Sequence, residues 1–340
     1  MLTSKSKVIK LLVSLETAIR LEHSTLPPYL YAYWSIEDLG SPLALSIYEV
    51  IKEEMLHMAL ACNILNAIGG SPDFSRKDFI PDYPTALPAH DMMIDPFVVG
   101  LNKLDIKAIV TFLHIELPRD LGTYSASDNA VDTIGEFYAK IRGDLELLPD
   151  EEFQGGKQLA AKFAPRKSGN LFEISSQTDA LRAVDEIVEQ GEGLSAKSIS
   201  VDDSENHFNR FESIYRDMGG LGKIHRGRFD AKNLVDSVDE NAYSAFQSRI
   251  KNIVADPKQN NIEAASIPNT KFNSAYSVML DALTVGFNMA EPDLDIAIQQ
   301  MCALTKPALE VMSIPVDKND LSRGYCGPTF EYIFPNERLF

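Results

Sequence analysis

The sequence contains little cysteine, with three residues in a chain of 340. Cys62, Cys302 and Cys326 form no CxxC pair and no even framework. This argues against a disulfide-stapled secreted fold and favours buried or free thiols in a reducing compartment. No segment is long and apolar enough to span a membrane, and the N-terminus lacks the apolar core of a signal peptide. We therefore expect a soluble cytoplasmic protein.

The chain also has few positively charged residues relative to negatively charged ones. It contains 32 Lys and Arg and 49 Asp and Glu, which gives a net charge of −17. Such an acidic chain argues against nucleic acid and anionic membranes as partners. The abundance of carboxylates also means that a single Glu is informative only through its position. Hydrophobic residues make up 45% of the chain, which is ample for a core.

Several familiar site patterns are absent. The sequence has no GxGxxG, no Walker loop and no GxSxG, so dinucleotide, nucleotide and α/β-hydrolase sites are disfavoured. It shows no internal repeat and no strand-dominated region. His90, His114 and His225 have no neighbouring ligand set in the sequence. The periodic segments instead predict an all-α fold.

One helical segment, 47–68, combines an apolar stripe with two polar residues. Glu54 and His57 stand in that stripe, three residues apart, so both side chains point to one side. A buried charge needs compensation, and Glu-x-x-His on an inward face is the ligand pair of di-iron and di-manganese bundles. The alternative is a chance pattern on a solvated face that includes Lys52 and Glu53. The stripe comprises Ile47, Val50, Glu54, His57, Ala61, Ile64 and Ile68.

A first long helix over 6–38 repeats this feature, because Glu22 falls on its apolar stripe. Pro27 and Pro28 are expected to interrupt and bend that helix and to free backbone carbonyls. His23 is one step off the stripe, so we expect it behind the ligands or on the surface. The tyrosines and the tryptophan that follow predict core and cavity lining.

The third helix is predicted in two parts. It starts near Leu104, presents Glu116 inward and breaks at Pro118. It resumes at about Asp128, where Glu136 points away from the apolar face. The apolar face there is formed by Ile134, Phe137, Tyr138, Ile141 and Leu145.

The fourth helix is also predicted in two parts, 178–192 and a segment from about Asp202. Glu192 continues the apolar face of the first part, and Glu189 is rotated about 100° from that line. His207 points inward in the second part. Ser204 stands three residues before His207, where a second Glu-x-x-His would have Glu, so a second ion is held less securely.

Four inward carboxylates and two imidazoles match the ligand inventory of a di-metal carboxylate bundle. Glu189 or Glu136 remain alternatives to one of these ligands. The predicted metal ligands are Glu22, Glu54, His57, Glu116, Glu192 and His207.

The remaining segments complete the predicted architecture. Residues 71–101 are rich in proline and predict a long crossover connection. A polar helix is predicted near 240–254, and two further helices over 271–288 and 293–312 are predicted as packing or dimerisation elements. We expect a metal-binding four-helix bundle over 1–218 and a loop-rich, helical extension over 219–340.

Several stretches resemble the ferritin-like domain of the iminophenyl-pyruvate dimer synthase family, of the type found in violacein and rebeccamycin biosynthesis. The resemblance spans nearly the whole chain and implies a ferritin-like fold with a metal site. Its motifs are LEHSTLPPYLYAYWSI, EEMLHMALACNILNAIGG, HIELP, IGEFY, IVEQGEG, HFNRF and GPTFEY.

Three functional hypotheses follow. The first is an O₂-dependent oxidoreductase or oxidative coupling enzyme, with two iron ions, acting on a small aromatic or amino-acid-derived substrate. Manganese or a single ion is an alternative, and a homodimer is expected as one assembly. The second is an iron-handling protein, and the third is a structural bundle with a degenerate metal site. Metal content separates the third from the others, and particle size separates the second.

Overall fold

A computed structural model describes residues 4–88, 97–118, 133–154, 156–159, 170–191, 206–224 and 229–340. Within these ranges the chain is helical, and its only β-pairings are isolated bridges. The predicted all-α fold class is therefore confirmed. None of the described helices combines the length and apolarity needed to cross a membrane.

The helices that build the bundle occupy the first two thirds of the chain. Two are long and the others are shorter pieces, as expected for broken third and fourth helices. They are α1 (Ser4–Trp34), α2 (Pro42–Ala67), α3 (Ile106–Ile115), α4 (Ile134–Leu145), α5 (Gln177–Gly191) and α6 (His207–Asp217).

The C-terminal part adds six further helices within the described residues, and short 3₁₀ turns occur in both parts of the chain. The helices are α7 (Ala231–Asp236), α8 (Glu240–Gln247), α9 (Pro257–Asn260), α10 (Ser266–Asn288), α11 (Asp295–Ala303) and α12 (Thr305–Val311). The 3₁₀ turns are Asp150–Glu152, Glu263–Ala265, Leu321–Arg323 and Pro335–Glu337.

Local sequence signals explain where the bundle helices begin and end. Ser41 caps α2 by accepting a hydrogen bond from the Ala44 amide, and Asp105 and Thr133 cap α3 and α4 in the same way. Gly69 follows α2 with a φ of +87°, a backbone conformation that side chains disfavour. The predicted end of this helix at the glycine pair is confirmed.

The prediction that Pro27 and Pro28 interrupt the first helix is wrong, because α1 continues through both residues to Trp34. Pro28 has no N–H to donate to the Ser24 carbonyl. The Tyr83 hydroxyl donates to that carbonyl instead, at 2.5 Å. The Ser24 carbonyl therefore lacks its helical hydrogen bond, as expected. A side chain from the crossover segment supplies another hydrogen bond, and the helix continues.

α1 and α2 form the centre of the molecule and run antiparallel. Three contacts show the direction. The Tyr33 ring stacks on Tyr48, and the Thr25 hydroxyl donates a hydrogen bond to Glu54. Further toward the start of α1, the Glu22 carboxylate faces His57. As residue numbers fall along α1, those of the contact partners rise along α2. α3 to α6 pack on one side of this pair, and α10 to α12 pack on another.

Tertiary pairing shortens several predicted helices. α8 ends at Gln247 rather than 254, because Ile250 pairs with Ile36 and the Lys251 amide donates to the Ser35 carbonyl. The same pairing ends α1 before residue 38. The predicted 293–312 helix is divided between Ala303 and Thr305, since Pro307 offers no N–H to the turn before it.

Candidate metal centre

Five of the predicted ligands converge between the helices of the bundle. All five side chains are buried, and they come from α1, α2, α6 and the residue that follows α3. Three of them, Glu54, His57 and His207, place possible ligand atoms within 4.8 Å of one another. The five residues are Glu22, Glu54, His57, Glu116 and His207.

His207 Nδ1 has the environment of a metal ligand. It lies 2.8 Å from Glu54 Oε1 and 3.5 Å from Glu116 Oε2. Nδ1 is buried, and neither contact has the geometry of a hydrogen bond. An unpartnered buried nitrogen is costly, and a cation shared with the two carboxylates would remove that cost. The residues therefore fit a bound metal ion.

His57 is oriented by a residue that the sequence analysis missed. Gln190 donates through its amide nitrogen to Glu186 Oε1 at 2.9 Å, which leaves Gln190 Oε1 to accept from His57 Nε2 at 3.0 Å. His57 Nδ1 then carries the lone pair and faces Glu22 Oε2 at 3.6 Å. The His57 and His207 rings lie 5.3 Å apart and nearly parallel, at 28°.

Each of the three carboxylates accepts a hydrogen bond from a hydroxyl group. Tyr138 donates to Glu22 Oε1 at 2.5 Å, and Tyr29 donates to Glu116 Oε1 at 2.5 Å. Thr25 donates to Glu54 Oε2 at 2.7 Å. These bonds occupy one oxygen of each carboxylate. The other oxygen faces a histidine Nδ1, so the carboxylates are held in a ligand-like orientation.

Glu53 is buried, although the sequence analysis allowed it a solvated face. Its carboxylate accepts from His207 Nε2 at 3.0 Å and lies 3.1 and 3.2 Å from the Arg210 guanidinium. With a cation bound, the bond to Nε2 would select the His207 tautomer whose Nδ1 lone pair faces that cation. The adjacent Glu54 drew attention through the helical stripe, whereas Glu53 is off that stripe. Arg210, the ion-pair partner of Glu53, lies 157 residues later in the chain.

The crowded carboxylates alter one another's protonation. Burial and the neighbouring Glu116 raise the pKa of Glu54 to about 7. Burial alone would lower the pKa of His207, but Glu116, Glu53 and Glu54 outweigh burial and hold that pKa well above its usual range. Without a metal ion, the cluster thus takes up protons where a cation would neutralise it.

The sixth predicted ligand and the two alternative ligands have different outcomes. Glu192 and Ser204 lie outside the described residues, so the Glu192 ligand remains a prediction. Glu189 is exposed on α5 and Glu136 is half-buried in the first turn of α4. A Cβ added to Gly191 would lie 3.5 Å from Glu116 Oε2, so the end of α5 borders the cluster.

His23 is not on the surface. It is 1% exposed, its Nε2 lies 2.9 Å from the Tyr276 hydroxyl, and its ring contacts Phe79. Burial lowers the pKa of His23 to about 3, so the ring is neutral. Sequence reasoning missed this because its partner belongs to α10, far away in the chain.

The fold and the cluster together define a helical bundle with a buried carboxylate–imidazole site. The model of the Ferritin-like family matches residues 15–216, and the chain belongs to this family. A crystal structure of a ferritin-like protein from Caulobacter vibrioides is similar, with a TM-score of 0.63 and 24% identity. That likeness covers 95% of this chain and 97% of the other, and it shows the shared fold.

A curated relative is dichlorochromopyrrolate synthase from Lentzea aerocolonigenes. It is 24% identical over 320 aligned residues, which cover 84% of this chain. The chain spans only 29% of the length of that relative. Dichlorochromopyrrolate synthase is related to the iminophenyl-pyruvate dimer synthases, so the resemblance inferred from the sequence motifs is confirmed.

Proposed function

We propose that this chain is a non-haem, metal-dependent oxidoreductase that uses O₂ to oxidise or couple a small aromatic or amino-acid-derived substrate. The observation that carries the proposal is the buried cluster of three carboxylates and two imidazoles, with the orphaned His207 Nδ1 at its centre. Groups of this kind bind iron and manganese in helical bundles.

Glu22, Glu54, Glu116, His57 and His207 would hold the metal, and Glu192 would supplement them. Two iron ions are proposed, with manganese or a single ion as alternatives. When bound, iron would supply a redox centre through which electrons pass from the substrate to O₂.

The surrounding residues would position these ligands and keep them dry. The Tyr29, Tyr138 and Thr25 hydroxyls fix the carboxylates, while Gln190 and Glu53 fix the two imidazoles. Burial raises the pKa of Tyr29 and Tyr138 well above the usual range, so both remain hydrogen-bond donors. Preorganised ligands of this sort need little rearrangement when a cation enters.

The space beside the cluster is small, about 20 Å³. That volume suits O₂ or a water molecule, whereas an organic substrate needs several times more. The space is bordered by Ile134, Gly135, Val188 and Gly191. We propose that a substrate approaches from this side, where these four described residues border the space with small or aliphatic side chains.

The dichlorochromopyrrolate synthase relative supports a biosynthetic role, because its name describes a synthase. Substrate class and coupling chemistry are part of our proposal, since the chain spans a minority of that protein. The decisive experiment loads purified protein with Fe(II) under anaerobic conditions, measures bound iron by elemental analysis, and follows O₂ consumption after mixing. We expect about two ions per chain and O₂ uptake that accelerates when an oxidisable aromatic amine or amino acid is added.

Absence of stoichiometric metal would overturn the proposal and leave a structural bundle. Storage of many ions per chain in a very large particle would instead indicate iron handling. Light scattering distinguishes these outcomes, because an enzyme is expected as a monomer or small oligomer.

A further inference from the structure

A second cavity lies on the side of α1 and α2 opposite the carboxylate cluster. Its volume is about 410 Å³, within the range of about 300–1,000 Å³ that is usual for small-molecule sites. The cavity is enclosed by α1 and α2 on one side and by α10, α11 and α12 on the other. Among the described residues, none lines both this cavity and the space beside the cluster.

The lining is mostly aliphatic and adaptable. Leucine and isoleucine side chains dominate it, and four methionines add flexible, polarisable surface. Methionine side chains adjust readily to a ligand that is itself flexible. The methionines are Met55, Met58, Met279 and Met301.

The charge of the lining is as informative as its apolar character. Lys52 is the single cation and no carboxylate is present among the described lining residues. His23 also lines the cavity, and its Nε2 lies 2.9 Å from the Tyr276 hydroxyl. Lys52 is partly exposed, with 20% of its side chain accessible, and therefore lies where the cavity meets solvent.

Lys52 has one anionic neighbour outside the cavity. Glu49 Oε2 lies 2.6 Å from Lys52 Nζ, and the Glu49 side chain is 40% exposed. An exposed ion pair of this kind is weak and readily exchanged. A ligand carboxylate at the mouth would take the place of Glu49 while its apolar body occupied the interior.

We infer that this cavity binds an aliphatic monocarboxylic acid of medium chain length, with the acid group at Lys52 and the chain among the methionines. This site is separate from the proposed metal centre and is independent of the proposed function. A ligand there remains across two helices from the carboxylate cluster. Loss of metal binding would therefore leave this inference intact, and the reverse also holds.

The chain contains a single tryptophan, Trp34, and it lines this cavity. Its emission therefore reports occupancy directly. Purified full-length protein is titrated with decanoate below its micelle concentration, and in parallel with 1-decanol. We expect saturable changes in Trp34 emission with both, and affinity for decanoate about tenfold higher, because only the carboxylate can form an ion pair with the Lys52 ammonium.

Three variants sharpen the test. Lys52→Gln is expected to weaken decanoate binding about tenfold and leave decanol unchanged, whereas the exposed control Lys232→Gln alters neither. Glu49→Gln is expected to strengthen decanoate binding, because it removes the competing carboxylate. Ala59→Phe, which adds a ring to the cavity wall, is expected to abolish binding of both probes.

The inference is overturned if neither probe changes Trp34 emission, or if decanoate and decanol bind equally well. It is also overturned if light scattering shows a dimer that Ala59→Phe dissociates, since a second copy would then occupy the cavity. If Ala59→Phe fails to fold, the comparison of Lys52→Gln with Lys232→Gln still decides the outcome.

Discussion

The two sides of the α1–α2 pair differ in what they demand of the sequence. Consecutive residues divide between them: Glu22 belongs to the carboxylate cluster and His23 to the apolar cavity, and His57 and Met58 divide in the same way. The cluster side leaves about 20 Å³ of space, and the cavity side about 410 Å³. The same two helices thus support a tightly packed charged site and a roomy apolar one.

The difference has a physical origin. A buried carboxylate or imidazole needs a partner for each polar atom, which forces close packing and specific neighbours. An apolar side chain beside a void loses only weak dispersion contacts, each of which costs less than an unpaired buried polar atom. Such contacts also place few requirements on the direction of the neighbouring group. The charged side is therefore the more sensitive to single substitutions.

The largest effect should come from breaking the charged side at its centre. Glu54→Ala and His57→Ala each remove a predicted ligand, and we expect bound metal to fall from about two ions per chain to nearly none. Elemental analysis after Fe(II) loading measures this, and circular dichroism should show the helices intact. Glu136→Gln serves as the control and should keep its metal. Stoichiometric metal in both alanine variants would refute the ligand assignment.

A second substitution tests the support behind the ligands. Arg210→Met leaves the Glu53 carboxylate buried without its guanidinium partner, and we expect a loss of about 2–4 kcal/mol in the free energy of unfolding. Metal affinity should fall by about 10–100-fold, because Glu53, which holds His207 Nε2, loses the guanidinium that orients its carboxylate. Urea denaturation and a metal titration measure the two effects.

The double variant Arg210→Met with Glu53→Gln provides the matched control. It removes the unpaired charge as well as its partner, so it should be more stable than Arg210→Met alone. Equal stability of the two variants would show that the ion pair is not what Arg210 contributes.

On the apolar side, His23 makes stability depend on pH. Its pKa is about 3 in the folded protein and about 6.5 for an unperturbed histidine, so between these pH values the unfolded chain binds a proton and the folded chain does not. The contribution of neutral His23 to the free energy of unfolding is therefore fully present above pH 6.5 and declines as the pH falls toward 3. The decline attributable to His23 is about 1.4 kcal/mol per pH unit.

His23→Gln should remove this part of the slope. Urea denaturation at pH 7 and pH 5 is compared for the two proteins, and the difference between them should change by about 2 kcal/mol. Parallel slopes for the wild-type chain and the variant would contradict a neutral, buried His23.

The smallest expected effect concerns the helix that both sides share. Tyr83→Phe removes the hydroxyl that satisfies the Ser24 carbonyl at the Pro28 position, and we expect a loss of about 1–2 kcal/mol. Tyr48→Phe, at a more exposed hydroxyl, should change stability by less than about 0.5 kcal/mol. Similar losses in both variants would show that the Ser24 carbonyl does not depend on Tyr83.

Much of the architecture could be predicted from local patterns. Helical stripes located the bundle helices, the glycine pair ended α2, and the inward positions of Glu22, Glu54 and Glu116 were visible as polar interruptions of apolar faces. These features depend on periodicity along one segment. Ligation by these residues remains a prediction that metal analysis must test.

Other parts of the site depend on residues distant in the chain. Gln190 forms a hydrogen bond with His57, which lies 133 residues earlier, and Arg210 pairs with Glu53, which lies 157 residues earlier. The local sequence around these residues does not indicate either pair. The continuity of α1 through two prolines likewise depends on Tyr83 from a separate segment.

The helical fold class and the faces on which carboxylates and imidazoles lie could be predicted from the amino-acid order alone, because both follow from the helical repeat and the cost of burying charge. The packed helices were needed to show which nitrogen of each histidine faces the cluster, which hydroxyl holds each carboxylate, and that an apolar cavity lies behind the same two helices. Those properties arise where separate helices meet, and hydrogen-bond direction and packing across such contacts are not encoded in the periodicity of any one segment.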